Sequence, residues 1–189
     1  KDLKKDIKLL VSQVNRCNEI LKRLSINSTL KDDFIDKDLS LHSYLKEIVN
    51  SFKEISEKNF IINIEQDTNS FDIKKSIEII YGIRNFIGNA NKYAKNNIYI
   101  TLKSDSEVSE ITIEDDGLGF SKDILTKIGQ PYIKSLRLYD NKKSGLGLGI
   151  FIGKTLLEKN YAKILFRNSE TRFGAEIKIE WLNENLIKI

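Results

Sequence analysis

Methionine is absent from this chain of 189 residues, and cysteine, proline, histidine and tryptophan occur once each. A single cysteine excludes an internal disulfide and suits a reducing compartment. Without a methionine, the chain is expected to be an internal piece of a longer protein. No apolar run approaches the ~20 residues of a membrane span, and no signal peptide opens the sequence. Any attachment to a membrane is therefore expected only through segments upstream. The formal net charge is +4, but lysines are spread along the chain and no dense basic block forms, which argues against nucleic acid as a partner. Internal repeats and low-complexity tracts are missing too.

What remains is an ordinary globular balance, 40% hydrophobic and 31% charged, in a chain long enough for one full domain and an appendage. The appendage is residues 1–25. Leu3, Ile7, Leu10, Val14, Cys17, Leu21 and Leu24 recur in alternating steps of four and three. That 3.5-residue period predicts a coiled-coil or bundle seam, and one helix cannot bury such a stripe alone. Residues 26–38 read as a linker with polar turn residues.

Residues 39–189 read as one domain. Ser40 is placed to cap a helix through about Lys58, with Leu41, Leu45, Ile48, Val49, Phe52 and Ile55 facing inward. Alternation predicts strands at 60–65, 98–103, 108–114, 162–168 and 175–181. Helices are expected at 73–95, briefly after Ser121, and at 150–158, and the stretch 130–144, which holds Pro131, reads as a mobile loop. The order implies a mixed sheet covered on one face by helices, an α/β sandwich of the α+β type.

Three stretches carry the chemistry. In Asn85-Phe-Ile-Gly-Asn89-Ala-Asn-Lys92-Tyr93, the polar positions recur at intervals of four, three and one, which places them toward one cleft on a helix. Amides and an ammonium there suit Mg²⁺ and phosphate oxygens. Asp115-Asp-Gly117-Leu-Gly119 follows the strand-like Ile111-Thr-Ile-Glu and breaks it with two glycines. Gly145-Leu146-Gly147-Leu148-Gly149-Ile is a glycine-rich turn entering a helix, which lets backbone N–H groups face phosphate.

In this order the three stretches resemble the N, G1 and G2 boxes of the catalytic ATP-binding domain of bacterial sensor histidine kinases, which share the Bergerat fold with the gyrase, Hsp90 and MutL ATPases. The resemblance spans residues 34–181. Leu-Thr-Lys-Ile-Gly129-Gln-Pro131-Tyr132 and Gly149-Ile-Phe-Ile-Gly-Lys-Thr-Leu-Leu-Glu158 narrow it to the redox-responsive RegB/PrrB subgroup. It implies a two-component protein-histidine kinase, using Mg²⁺ and ATP, that is a homodimer at full length and passes phosphate to a response regulator. The parent protein would sit in a bacterial inner membrane with this domain cytoplasmic.

The resemblance assigns Asn89 to Mg²⁺, Lys92 to phosphate, and Asp115 to the adenine amine, with Asp116 set aside by the register. Tyr93 either borders adenine or packs in the core. Tyr132 stands where many members have phenylalanine. The lid 130–144 is basic through Lys134, Arg137, Lys142 and Lys143. At Asn85 the related hydrolases carry a water-activating glutamate. An amide takes no proton at neutral pH, so this site is expected to hold ATP for transfer and not for hydrolysis. Residues 1–25 become the second helix of a dimerisation domain, and Cys17 is either a core filler or a redox-responsive thiol.

Two positions depart from the family pattern. Gly174-Ala175 replaces a Gly-Thr pair whose hydroxyl helps bind adenine. His42 is followed by Ser43-Tyr44-Leu45, not by the acidic residue and proline of a phosphoacceptor. It reads as a surface or boundary side chain, and the acceptor is expected upstream of Lys1. Two other readings share the nucleotide boxes: an anti-sigma-type protein-serine kinase, and a regulatory nucleotide-binding module without transfer activity. The bundle seam disfavours the first, and the intact boxes disfavour the second.

Overall fold

A computed structural model describes residues 39–65, 72–73, 76–133 and 147–188. The expected bundle helix and linker, with Cys17, therefore lie outside the described residues. So do Gly145, Leu146 and the lid cations Lys134, Arg137, Lys142 and Lys143.

The chain enters through a two-residue strand, β1 (Leu39–Ser40), and a helix, α1 (Leu41–Lys53). The Ser40 hydroxyl accepts the Ser43 N–H and caps that helix. It ends earlier than the apolar period suggests. Glu54 is its C-cap and residues 54–55 turn away, so Ile55, expected inward, is 80% exposed. Strand β2 (Asn59–Ile64) follows, then the short β3 (Asp72–Ile73), which pairs antiparallel with β1. Ile73 is thus in a strand and not in the long helix, α2 (Ile77–Tyr93). Ser76 fixes that helix's start by accepting the Ile79 N–H through its hydroxyl.

Strands β4 (Asn97–Ser104) and β5 (Val108–Asp115) form a hairpin, followed by a single turn of helix, α3 (Lys122–Leu125). Helix α4 (Gly149–Lys159), strands β6 (Lys163–Asn168) and β7 (Ala175–Leu182), and a terminal helix, α5 (Asn183–Lys188), complete the domain. The sequence pattern did not announce β1, β3 or α5, each too short to show a period.

Five strands make one mixed sheet in the order β2-β4-β5-β7-β6, with β2 parallel to β4 and all other pairs antiparallel. Alternate residues of β4, β5 and β7 point to one face, where Ile98, Ile100, Leu102, Ile111, Ile113, Ile177, Ile179 and Trp181 are almost fully buried. Leu45 and Val49 of α1, Ile83, Phe86 and Ile87 of α2, and Leu157 of α4 complete that core. Helices α2 and α4 meet closely because each has a glycine at the crossing. A methyl on Gly82 would lie 2.4 Å from Leu157 Cγ, and one on Gly153 would lie 2.7 Å from Phe86 Cε1. This contact fixes where the first residue of α4 sits along α2.

Candidate nucleotide site

Asp115 is the last residue of β5, and its position on the inward-facing register leaves it only 3% exposed. Its Oδ1 accepts the N–H of Gly117 at 2.8 Å and that of Ala175 at 3.2 Å. Among the described residues no hydrogen bond reaches Oδ2, so that oxygen is available to an outside donor. Burial raises the carboxyl pKa, the two N–H groups oppose that rise, and the neighbouring Asp116 charge adds to it. The backbone crowds this carboxylate from two sides. A methyl on Gly117 would lie 2.3 Å from the Tyr93 carbonyl and 2.8 Å from Asp115 Oδ1, and one on Gly174 would lie 1.9 Å from the Asp115 carbonyl. Side chains at 117 or 174 would therefore force this backbone to shift.

Asp116 has a different task. Its carboxylate accepts the N–H groups of Lys95, Asn96 and Asn97 and the Asn97 side-chain amide, at 2.8–3.0 Å. Burial by itself would raise its pKa, but these bonds outweigh burial and hold it below the usual carboxylate value. It ties the turn after α2 to the end of β5.

Helix α2 is the common wall. At its C-terminal end the Tyr93 carbonyl packs against Gly117, and two turns earlier a methyl on Gly149 would lie 3.8 Å from Asn85 Oδ1. The span between Asn85 and Tyr93 is about 12 Å at the rise of an α-helix. Asn89 and Lys92 lie within it, both half-buried. Asn85 donates its Nδ2–H back to the Tyr81 carbonyl at 2.8 Å, which leaves Oδ1 as its outward atom. Asn89 makes no side-chain hydrogen bond among the described residues. Lys92 Nζ stands 5.0 Å from the centroid of the Tyr93 ring, which is 48% exposed, so the core-packing alternative for Tyr93 does not hold.

The lid side is described from Gly147 onward. Gly147 has φ +70 and lies against Ile133, where a methyl would sit 2.2 Å from the carbonyl. Leu148 is the N-cap of α4 and offers no side-chain cap, and the first turn carries no acidic residue. The first N–H groups of α4 therefore have no competing acceptor from their own turn, and its first residue lies beside Asn85. Tyr132, in the turn before Ile133, has φ +64, is 63% exposed, and makes no ring contact or hydrogen bond among the described residues. His42 lies in α1, where burial and then Lys46 lower its pKa.

The structure thus brings Asp115, Gly117 and Tyr93 together at one end, and Asn85 and Gly149 at the other. Asp116, Asn168, Gly174 and the Gly82–Gly153 crossing support this arrangement and were not singled out for it in the sequence. Glycines inside a helical pattern were the one readable signal for the crossing. The oxygen donors also fit a divalent cation held mostly by phosphate. Among the described residues no group of three or more acidic, histidine or cysteine side chains converges, whereas the amide oxygen of Asn85 is left outward and Asn89, one turn on, is half-buried. Mg²⁺ commonly binds through few protein oxygens together with substrate phosphates.

Comparison with known proteins gives the same direction. A model of the histidine kinase-, DNA gyrase B-, and HSP90-like ATPase family matches residues 74–185. The sensor histidine kinase RegB of Cereibacter sphaeroides is 29% identical over 206 residues, covering 99% of this chain and 44% of that protein. The heme sensor protein HssS of Staphylococcus saprophyticus is 28% identical over 171 residues, covering 85% of this chain and 36% of that protein. The chain therefore spans less than half the length of these relatives. Among solved structures, a mycobacterial sensor histidine kinase MprB superposes with a TM-score of 0.65 at 16% identity, covering 76% of this chain and 96% of that one. The catalytic domain of histidine kinase ThkA superposes with a TM-score of 0.63 at 19% identity, covering 76% and 95%. At these identities the superpositions speak for the fold alone.

Proposed function

This chain belongs to the histidine kinase-, DNA gyrase B-, and HSP90-like ATPases, and from that premise we propose that it is the ATP-binding catalytic part of a two-component sensor histidine kinase. The observation that carries the reading is the shared wall of α2, with the buried Asp115 at one end and the start of α4 at the other. Asp115 Oδ2 accepts the exocyclic amine of adenine, and a carbonyl at that position of guanine is refused. Gly117 and Gly119 let the base approach. The triphosphate runs along Asn89 and Lys92 toward the first N–H groups of α4, where Gly147 and Gly149 leave room for it.

Asn89 would hold Mg²⁺ through its amide oxygen, and the ion would supply charge neutralisation to the phosphates. Asn85 cannot act as a general base, so water is not activated and the γ-phosphoryl is kept for another nucleophile. That nucleophile is a histidine outside residues 1–189, on a dimerisation domain to which the apolar period of residues 1–25, outside the described residues, assigns that segment. The phosphoryl then passes to an aspartate of a response regulator. The 29% identity to RegB supports a redox-responsive parent, with Cys17 as the candidate thiol. No described helix is long and apolar enough to cross a membrane, and the parent's membrane anchor is assigned to other segments.

Incubation with γ-labelled ATP tests this reading. The isolated chain should remain unlabelled, and adding the parent's acceptor-bearing helices should produce acid-labile label on them. Label on His42, or no transfer to the acceptor helices despite ATP binding, would overturn it.

A further inference from the structure

The hairpin joining β6 to β7, residues 169–174, approaches Asp115 from behind. It supplies one of the two N–H groups that orient the carboxylate, through Ala175, and it packs Gly174 on the Asp115 carbonyl. Its hub is Ser169, which is 4% exposed. The Ser169 hydroxyl donates to Glu114 Oε1 at 2.6 Å and accepts the Arg172 N–H at 3.0 Å. The Ser169 N–H donates to the Gly174 carbonyl at 2.9 Å. Glu114 immediately precedes Asp115, so this one serine joins the strand that carries the carboxylate to the hairpin that aims it.

Two further anchors hold the same segment. The Arg172 guanidinium lies 4.0 Å from the centroid of the Tyr99 ring, on the strand next to β5. Asn168, the last residue of β6, accepts the Phe120 N–H at 2.6 Å and donates to the Phe120 carbonyl at 2.9 Å. It thereby pins the loop that carries Gly117 and Gly119. Ala175 has no hydroxyl of its own to contribute to the site, so the aim of Asp115 Oδ2 depends on where this hairpin holds the Ala175 N–H.

We infer that Ser169, with Arg172 on Tyr99, is a positioning residue for base selection: it acts through the Ala175 N–H to set the direction of Asp115 Oδ2, without itself reaching the nucleotide. The inference rests on the nucleotide reading given above. It separates the base end of the site from the phosphate end, since the hydrogen bonds and ring contact of Ser169 and Arg172 go to Glu114, Tyr99 and their own hairpin.

Calorimetric titration with ATP and with ITP, which has a carbonyl in place of the adenine amine, reads that separation. The parent should prefer ATP. Ser169→Ala should reduce that preference by about tenfold, the scale of one charge-assisted hydrogen bond, with ITP affinity nearly unchanged. Arg172→Gln should act in the same direction and Arg172→Lys, which keeps a cation on Tyr99, should restore the preference. The arginine pair decides the matter if Ser169→Ala does not fold by circular dichroism. A parallel fall in ATP and ITP affinity, or an unchanged ratio in folded variants, would overturn the positioning role while leaving the nucleotide site in place. A parent that binds neither nucleotide would overturn the functional reading itself.

Discussion

Asp115 and Asp116 are adjacent carboxylates in opposite situations. Asp115 is buried, its pKa is raised, and Oδ2 is bonded to nothing described. Asp116 is satisfied by four hydrogen bonds and its pKa is lowered. Their contributions to stability therefore run in opposite directions with pH. Asp115 favours the fold fully below its unfolded pKa, and that contribution is lost as pH rises through its higher folded value. Asp116 favours the fold above its unfolded pKa, and its contribution is lost as pH falls through its lower folded value. At neutral pH Asp115→Asn should leave the melting temperature of the nucleotide-free protein unchanged or raise it, while weakening ATP roughly ten- to hundredfold. Asp116→Asn should instead cost about 1–3 kcal/mol of stability, because the amide cannot accept all four bonds. Thermal denaturation and calorimetry on the two variants check this contrast, and the reverse pattern would exchange their roles. The motif register singled out Asp115, which is the buried one of the pair, but the structural use of Asp116 was not legible. Its partners lie on the turn after α2, about twenty residues earlier, and no local pattern announces a bond across that separation.

Helix α2 is both core and candidate site. Its buried face, Ile79, Ile80, Ile83, Phe86, Ile87 and Ala90, follows the helical period and was readable in the sequence. Which end of it meets the lid depends on the glycine crossing with α4. Gly82→Ala should cost about 1–3 kcal/mol through overpacking against Leu157, which is fully buried and has no room to yield. It should also weaken ATP by displacing the first turn of α4 from Asn85. Gly88 is the control. A methyl there meets only Phe52 at 3.5 Å, an ordinary contact, so Gly88→Ala should stabilise the helix by roughly 0.5–1 kcal/mol. Chemical denaturation separates the two; equal effects from both glycines would show that the crossing does not set helix placement. The element boundaries that differed from expectation have local causes. Ser76 caps α2 and releases Ile73 to pair with Leu39, and α1 ends at Lys53, leaving Ile55 in the turn beyond.

At the scale of the whole molecule, the sheet and its helical layer were legible because β4 and β5 alternate strictly, β7 does so from Ile177 onward, and each carries at least three buried residues on one side. Strand order was not, since the parallel pairing of β2 with β4 depends on contacts that no period encodes. The three nucleotide motifs are separated by tens of residues, and only the fold sets Asn85 beside Gly149 and Tyr93 beside Gly117. The residue types on each wall were readable, whereas the supports behind them were not: Asn168 on Phe120, Ser169 on Glu114 and Gly174 on Asp115 are long-range contacts. Calorimetric titration of the chain with ATP, with and without Mg²⁺ and with Asn89→Ala as the paired variant, decides whether these walls form one Mg²⁺-ATP cleft. Saturable binding of one ATP per chain is expected, tighter with Mg²⁺, and Asn89→Ala should lose that metal dependence; absence of binding, or binding by Asn89→Ala with the parent's full response to Mg²⁺, would refute the shared cleft.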